Sequence, residues 1–198
     1  MRSIIYDNER TEIIEQFRRL QDISNDTMTS DDMKSIRGVL LEAVNSGALN
    51  RGAFDLNPIL FDIQTALITV QEIGLSRASI ISILLHDCVA LGCIGIEKVE
   101  KDFGADAAHI IRGLIKVNEL YSKNPSIETE NFRDLLLSFA EDMRVIFVMI
   151  AARANLMRQI KDRGTDEERK KVATEAIRLY APLAHKLGLY LIKSELED

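Results

Sequence analysis

The stretch "RASIISILLHDCVAL", residues 77–91, combines a helical pattern with one adjacent His-Asp pair. Its apolar residues recur at the three- and four-residue spacing of a helix and do not alternate as they would in a strand. Ser76, the residue before it, favours a helix N-terminus. His86 and Asp87 are both residue types that bind metal ions. The stretch therefore predicts a largely buried helix that carries either a metal site or the remnant of one.

The same periodicity dominates the rest of the chain. It predicts helices over 11–23, 31–44, about 58–73, 96–102 and 105–120, and over a segment from 128 to 160 that breaks near residue 142. Thr165 and Glu168 form a T-x-x-E capping box that opens a further helix, which Pro182 is expected to bend or restart. We predict an all-α bundle of about eight to ten helices.

Composition limits the class of protein. The chain has 198 residues, of which 46% are hydrophobic and 28% charged, which suits one domain or a domain with an appendage. Its net charge of −6 argues against a nonspecific nucleic-acid surface. The apolar run "VIFVMIAA" (145–152) is too short to cross a bilayer. Because "MRSIIYDNER" (1–10) turns polar and acidic at once, we expect no signal peptide there. We therefore expect a cytoplasmic protein with no membrane partner.

The two cysteines, Cys88 and Cys93, are expected to stay unpaired in a reducing cytosol. Their C-x4-C spacing lacks the second pair that a structural zinc site needs.

Two long segments carry a family resemblance. "NFRDLLLSFAEDMRVIFVMIAARANLMRQI" (131–160) and "ATEAIRLYAPLAHKLGLYLIKSELED" (173–198) resemble Rel/SpoT proteins, which make and degrade guanosine tetra- and pentaphosphate. "LLHD" (84–87) and a later "FG" (103–104) extend the resemblance through the family's N-terminal hydrolase region. It covers about three quarters of the chain, and residues 1–50 match weakly. The resemblance implies an all-α, HD-type fold over 51–198, preceded by N-terminal helices over 1–50.

The resemblance also implies a chemistry. In the family, an upstream His, the His-Asp pair and a later Asp hold a manganese ion, and a Glu-Asp pair after the His-Asp assists attack of a metal-bound water on the 3′-pyrophosphate. A magnesium-dependent GTP pyrophosphokinase domain follows in the longer proteins. This chain stops at "SELED" (194–198), about where that domain begins, so we expect a fragment of a longer protein. Ribosome contacts would then require regions that this sequence lacks.

The metal ligands that the resemblance implies can be compared with the residues of this chain. The chain has three histidines: His86, His109 in a later helix, and His185 in "YAPLAHKLG". No histidine precedes His86, and the place of the family's first ligand falls at or near Asp62. Asp62 is either a substitute ligand for a hard cation or a solvated helix aspartate.

The other site positions have changed as well. The family pattern H-D-x-x-E-D reads His86-Asp87-Cys88-Val89-Ala90-Leu91 here, so Ala90 and Leu91 replace both catalytic carboxylates. The pattern A-D-R-L-H-N-M-R reads "AARANLMR" (151–158), with Ala152 in place of the last ligand. An alanine side chain has no lone pair to offer. We predict no catalytic residue and no metal site, with His86, Asp87 and Asp62 as remnant positions.

Two functions remain open. The first is a degenerate hydrolase domain that binds no cofactor and regulates an adjacent GTP pyrophosphokinase domain within the same protein. The alternative is a divergent guanosine-3′,5′-bis(diphosphate) 3′-pyrophosphohydrolase that uses Mn²⁺ with Asp62, His86, Asp87 and another carboxylate. Guanosine nucleotides are candidate ligands in both cases. Arg153 and Arg144 are candidate nucleotide contacts, because arginine suits phosphates, although Arg144 beside Asp142 would equally make a structural ion pair.

Overall fold

The computed structural model describes residues 4–123 and 142–198. These two ranges contain helices and connecting turns and no strand. The α-helices are α1 (Asp7–Ile23), α2 (Ser30–Asn45), α3 (Pro58–Ile68), α4 (Arg77–Ala90), α5 (Ile96–Phe103), α6 (Ala105–Lys123), α7 (Met143–Gln159), α8 (Asp166–Glu175), α9 (Ala181–Lys186) and α10 (Tyr190–Glu197). The prediction of an all-α fold is confirmed.

The chain divides into two units, residues 1–115 and 116–198. In the first unit α4 is the central element, with α2, α3 and α5 packed against it, and α1 packs on α3. Residues 79–85 of α4 are all buried. A helix with apolar side chains on most of its faces is expected to be surrounded by other elements, and α4 is surrounded in this way. The predicted boundary near residue 50 stays a prediction.

Polar anchors tie the helices of the first unit together. Arg77, at the start of α4, donates through Nη2 to Asp32 Oδ1 of α2 at 2.6 Å and through Nη1 to the carbonyl of Phe103 at 2.7 Å. Asn57 caps α3: its Oδ1 accepts from the backbone N–H groups of Ile59 and Leu60. These contacts fix the ends of the helices that carry the candidate site.

The predicted end of the third helix matches the structure closely. The helix that begins at Pro58 continues through a wider turn over Thr69–Ile73 and ends at Gly74, whose φ of 83° is the left-handed conformation that glycine favours. Gly74 thus closes the helix where the sequence predicts.

The second unit begins within α6 and includes α7 to α10. Asp142 caps α7 by accepting from the backbone N–H of Arg144 at 2.9 Å, which places the predicted helix start at this residue. The part of the predicted 128–160 helix that precedes Asp142 lies outside the described residues. Helix α8 opens on the predicted Thr165–Glu168 capping box, and the chain restarts as α9 with Pro182 in its first turn. Proline is tolerated there because the first turn of a helix has no partner for its N–H.

Candidate functional site

The His-Asp pair lies at the C-terminal end of α4, where the helix emerges from the core. The His86 side chain is 20% exposed and that of Asp87 is 43% exposed. His86 Nδ1 lies 2.8 Å from the carbonyl oxygen of Ile83, one turn earlier. A carbonyl oxygen only accepts, so Nδ1 carries a proton and donates it in this contact. That leaves Nε2 as the ring nitrogen with which His86 could bind an ion.

His86 Nε2, however, lies 3.3 Å from Asp87 Oδ1. Burial lowers the pKa of His86, but the negative charges of Asp62, once that group is ionised, and of Asp87 outweigh this and raise the pKa above its ordinary value. A protonated imidazole donates from both nitrogens and has no lone pair for a metal ion. The geometry therefore favours His86 as the cation of an ion pair.

Asp62 lies on α3 and interacts electrostatically with both members of the pair. Burial raises the pKa of Asp62 to about 8; the charge of His86 opposes that rise and the charge of Asp87 adds to it. A carboxyl group that keeps its proton at neutral pH is a poor ligand for a hard cation, because metal ligands must be deprotonated. The structure thus brings Asp62, His86 and Asp87 into one electrostatic cluster, and the role of Asp62 as a substitute metal ligand stays a prediction.

Ala90 and Leu91 stand at the end of the same helix and are exposed. Leu91 is 50% exposed. Their hydrocarbon side chains face the solvent at the positions where the family resemblance implies carboxylates. Neither can orient or deprotonate a water molecule.

The manganese site that the resemblance implies can be tested against the donor set. Across residues 4–123 and 142–198, no group of three or more His, Cys, Asp or Glu side chains is arranged to hold a metal ion. Cys88 does not extend the cluster, since burial raises the pKa of its thiol to about 12 and the thiolate is the form that binds metals. The donors in the described ranges do not fit the manganese site.

The remaining predicted positions belong to the second unit. Ala152 is a half-buried residue of α7, followed directly by Arg153. Arg144 forms a bidentate contact with Asp142, in which Nη2 lies 2.7 Å from Oδ2. The nucleotide-binding role of Arg144 stays a prediction, and the alternative ion pair is present.

Arg153 belongs to a polar network that the sequence analysis missed. Its side chain is 11% exposed, and its Nη2 lies 2.8 Å from Glu175 Oε2. The guanidinium also lies 4.4 Å from the centre of the Tyr180 ring, and the Tyr121 hydroxyl donates to the Tyr180 hydroxyl at 2.7 Å. The partners come from α6, α8 and the turn before α9, so no spacing within one helix could have revealed them.

Comparison with known proteins gives a consistent picture. A family model described as "HD domain" matches residues 53–190. The chain is 37% identical over 132 residues to a "GTP pyrophosphokinase" of Myxococcus xanthus, which covers 64% of this chain and 17% of that protein. It is 37% identical over 129 residues to a "Guanosine-3′,5′-bis(diphosphate) 3′-pyrophosphohydrolase" of Aquifex aeolicus, covering 65% of this chain and 18% of that protein.

A longer match reaches into the N-terminal helices. The chain is 28% identical over 183 residues to the "Bifunctional (p)ppGpp synthase/hydrolase SpoT" of Escherichia coli K12, covering 92% of this chain and 26% of that protein. The chain thus spans about a sixth to a quarter of the length of these relatives. Within the described residues, no helix has the length and apolar character needed to cross a membrane.

Proposed function

The chain belongs to the HD-domain family, in the branch of the Rel/SpoT proteins, and from that premise we propose that it is a degenerate hydrolase domain that regulates an adjacent GTP pyrophosphokinase domain. The observation that carries the proposal is the donor set. Asp62, His86 and Asp87 interact electrostatically, but among the described residues no group of three or more His, Cys, Asp or Glu side chains is arranged to hold a metal ion. A metal-dependent hydrolase needs several protein ligands and an open position for water.

The electrostatics support the same conclusion. His86 donates to the Ile83 carbonyl and faces Asp87, and burial favours the neutral form of the Asp62 carboxyl. Loss of general acid–base assistance alone typically costs ~10²–10⁴-fold in rate. Loss of the metal removes both the activated water and the charge stabilisation of the transition state.

A regulatory role requires a surface for the neighbouring domain. On α10, Tyr190 is 62% and Leu191 is 89% exposed. Exposed apolar side chains that lie next to each other mark interaction surfaces more often than isolated ones do. We therefore assign Tyr190 and Leu191 to the contact with the pyrophosphokinase domain. In a protein that contains both domains, Leu191→Asp is expected to change the rate of pyrophosphate transfer from ATP to GTP, whereas the exposed control Lys101→Glu leaves it unchanged.

The hydrolytic half of the proposal has a direct test. Purified residues 1–198 with manganese should release no pyrophosphate from guanosine tetraphosphate. Replacing Asp62 by His, Ala90 by Glu, Leu91 by Asp and Ala152 by Asp in one chain should restore some turnover if the scaffold is intact. Single replacements should do little, because residues that act as a unit are non-additive.

A second candidate function rests on the cluster of Asp62, His86 and Asp87, whose charges interact. With one further carboxylate it would form a divergent pyrophosphohydrolase site. Turnover by the unmodified chain that disappears in His86→Ala would establish this function and refute the first proposal. Unmodified turnover that persists in His86→Ala would point to a contaminating enzyme, which a second purification would remove.

A further inference from the structure

An apolar groove lies between α1 and α2 in the first unit, away from the His-Asp pair. The two helices make little contact with each other, because α1 packs on α3 and α2 packs on α4. The space between them has a volume of about 690 Å³. Its walls and floor are mainly hydrocarbon, contributed by Ile14, Phe17, Leu41, Val44, Ile59 and Ile63. We call this feature the α1–α2 groove.

The walls of the α1–α2 groove leave large apolar side chains in water. Ile14 on α1 and Leu41 on α2 are each 51% exposed, although α1 packs on α3 and α2 packs on α4. Each side chain would gain free energy from burial. The two residues stand on opposite walls, so a single occupant could cover both.

Positive charge borders the groove on both sides. Arg10 and Arg18 line it from α1, and Lys34 and Arg37 line it from α2, while none of the described lining residues is acidic. All four are exposed. Among the described residues, Arg18, Lys34 and Arg37 form no ion pair, and Arg10 has only a 3.6 Å contact with the exposed Asp7. This local charge is opposite to the net charge of −6 of the whole chain.

The arrangement of the cations selects the shape of the occupant. Arg10 and Arg18 are eight residues apart on one helix, which is about 12 Å along its axis at 1.5 Å per residue. A single anionic head group cannot reach two such cations and also those on the opposite wall. An amphipathic helix can, because it presents an apolar stripe with charged residues along both flanks.

From this geometry we propose that the α1–α2 groove binds an amphipathic helix of a partner protein whose apolar stripe is flanked by Asp and Glu residues. Binding of an apolar helix face in a hydrophobic groove is a recurrent mode of peptide recognition. Ile14 and Leu41 form the apolar contacts, and the four cations pair with carboxylates on the two flanks of the helix. The surface is separate from the His-Asp pair, so the proposal does not depend on whether that pair is active.

A designed peptide tests the proposal. The probe is a fluorescein-labelled helical peptide of about 15 residues, with leucines at three- and four-residue spacing and glutamates along both flanks. A matched probe has lysine in place of every glutamate. In fluorescence anisotropy titrations with residues 1–198, the acidic probe should bind saturably and at least about tenfold more tightly than the basic probe. Its affinity should fall as salt is raised, because the rim charges are exposed.

Variants locate the binding site. The double substitution Lys34→Glu/Arg37→Glu and the single substitution Leu41→Asp should each weaken binding of the acidic probe by at least about tenfold. Lys101→Glu, an exposed charge reversal on α5, is the matched control and should leave binding unchanged. All these positions are exposed, so the variants are expected to fold, which circular dichroism verifies.

Three results would overturn the proposal. The first is no saturable binding of the acidic probe, or binding that none of the groove variants weakens. The second is binding of a fluorescent fatty acid in the groove, abolished by Leu41→Asp, with no binding of the peptide. The third is self-association in sedimentation that Leu41→Asp abolishes, which would assign the groove to a second copy of the chain.

Discussion

Replacing Asp62 by Asn should stabilise the first unit, and by an amount that depends on pH. Burial raises the pKa of Asp62 from 3.8 to about 8. In the unfolded chain the carboxyl loses its proton above pH 3.8, whereas in the folded protein it keeps that proton until about pH 8. The unfolded state is therefore favoured increasingly as the pH rises through this window. Stability is highest below pH 3.8, and the loss is complete above pH 8.

The size of the expected change in the free energy of unfolding follows from the shift in the pKa of Asp62. Each pH unit between 3.8 and the working pH lowers the free energy of unfolding by about 1.4 kcal/mol. At pH 7 the full reduction is therefore about 4 kcal/mol. Asp62 is only half-buried, and partial solvation reduces this cost. An asparagine keeps the shape and has no charge to bury. We expect Asp62→Asn to match the parent chain near pH 4 and to be about 2–4 kcal/mol more stable at pH 7.

Urea unfolding in EDTA, followed by circular dichroism from pH 4 to pH 8, measures this difference. Asp26→Asn, which removes an exposed carboxylate from the turn before α2, is the control and should give a small difference at every pH. A difference for Asp62→Asn that is independent of pH would refute the assignment of a neutral carboxyl. A variant less stable than the parent at pH 7 would show that Asp62 acts as a charged partner of His86.

Further predictions concern metal and stability. Manganese should not raise the melting temperature of residues 1–198, since ligands that bind only the folded state stabilise it; one tightly held manganese per chain after dialysis would contradict this. Arg77→Ala leaves the buried Asp32 carboxylate without its main partner and should cost about 3 kcal/mol in urea unfolding, whereas Arg112→Ala, in an exposed pair with Glu100, should cost less than about 1 kcal/mol. Equal losses would show that burial does not decide the effect. Asn57→Ala removes the cap of α3 and should cost about 2 kcal/mol by the same measurement, and an unchanged midpoint would contradict that role.

Local chemistry allowed the sequence to predict most of the helices. Helix α8 begins at Thr165 because a threonine and a glutamate three residues apart satisfy each other's N–H groups wherever the helix lies. Gly74 ends its helix because only a residue without Cβ adopts a positive φ without strain. The start of α1 was less accurate, since it begins at Asp7, four residues before the predicted position. There Glu9 accepts from the backbone N–H of Tyr6 in a polar stretch with no apolar pattern to read.

The sequence by itself also determined which site positions lack a metal-binding side chain. The side chains of Ala90, Leu91 and Ala152 have no lone pairs in any fold, so the inability of these side chains to bind a metal needs no structure. Only the tertiary structure decided the state of the groups that remain. The raised pKa of Asp62 arises from burial beside a helix 15 residues later, and the partner of Arg153 is a carboxylate 22 residues away in the chain. The burial of a side chain and its distance from a partner depend on how separate helices pack. The spacing of residues within one helix does not determine that packing. For the same reason, the α1–α2 groove exists only because each of its helices packs on a different neighbour.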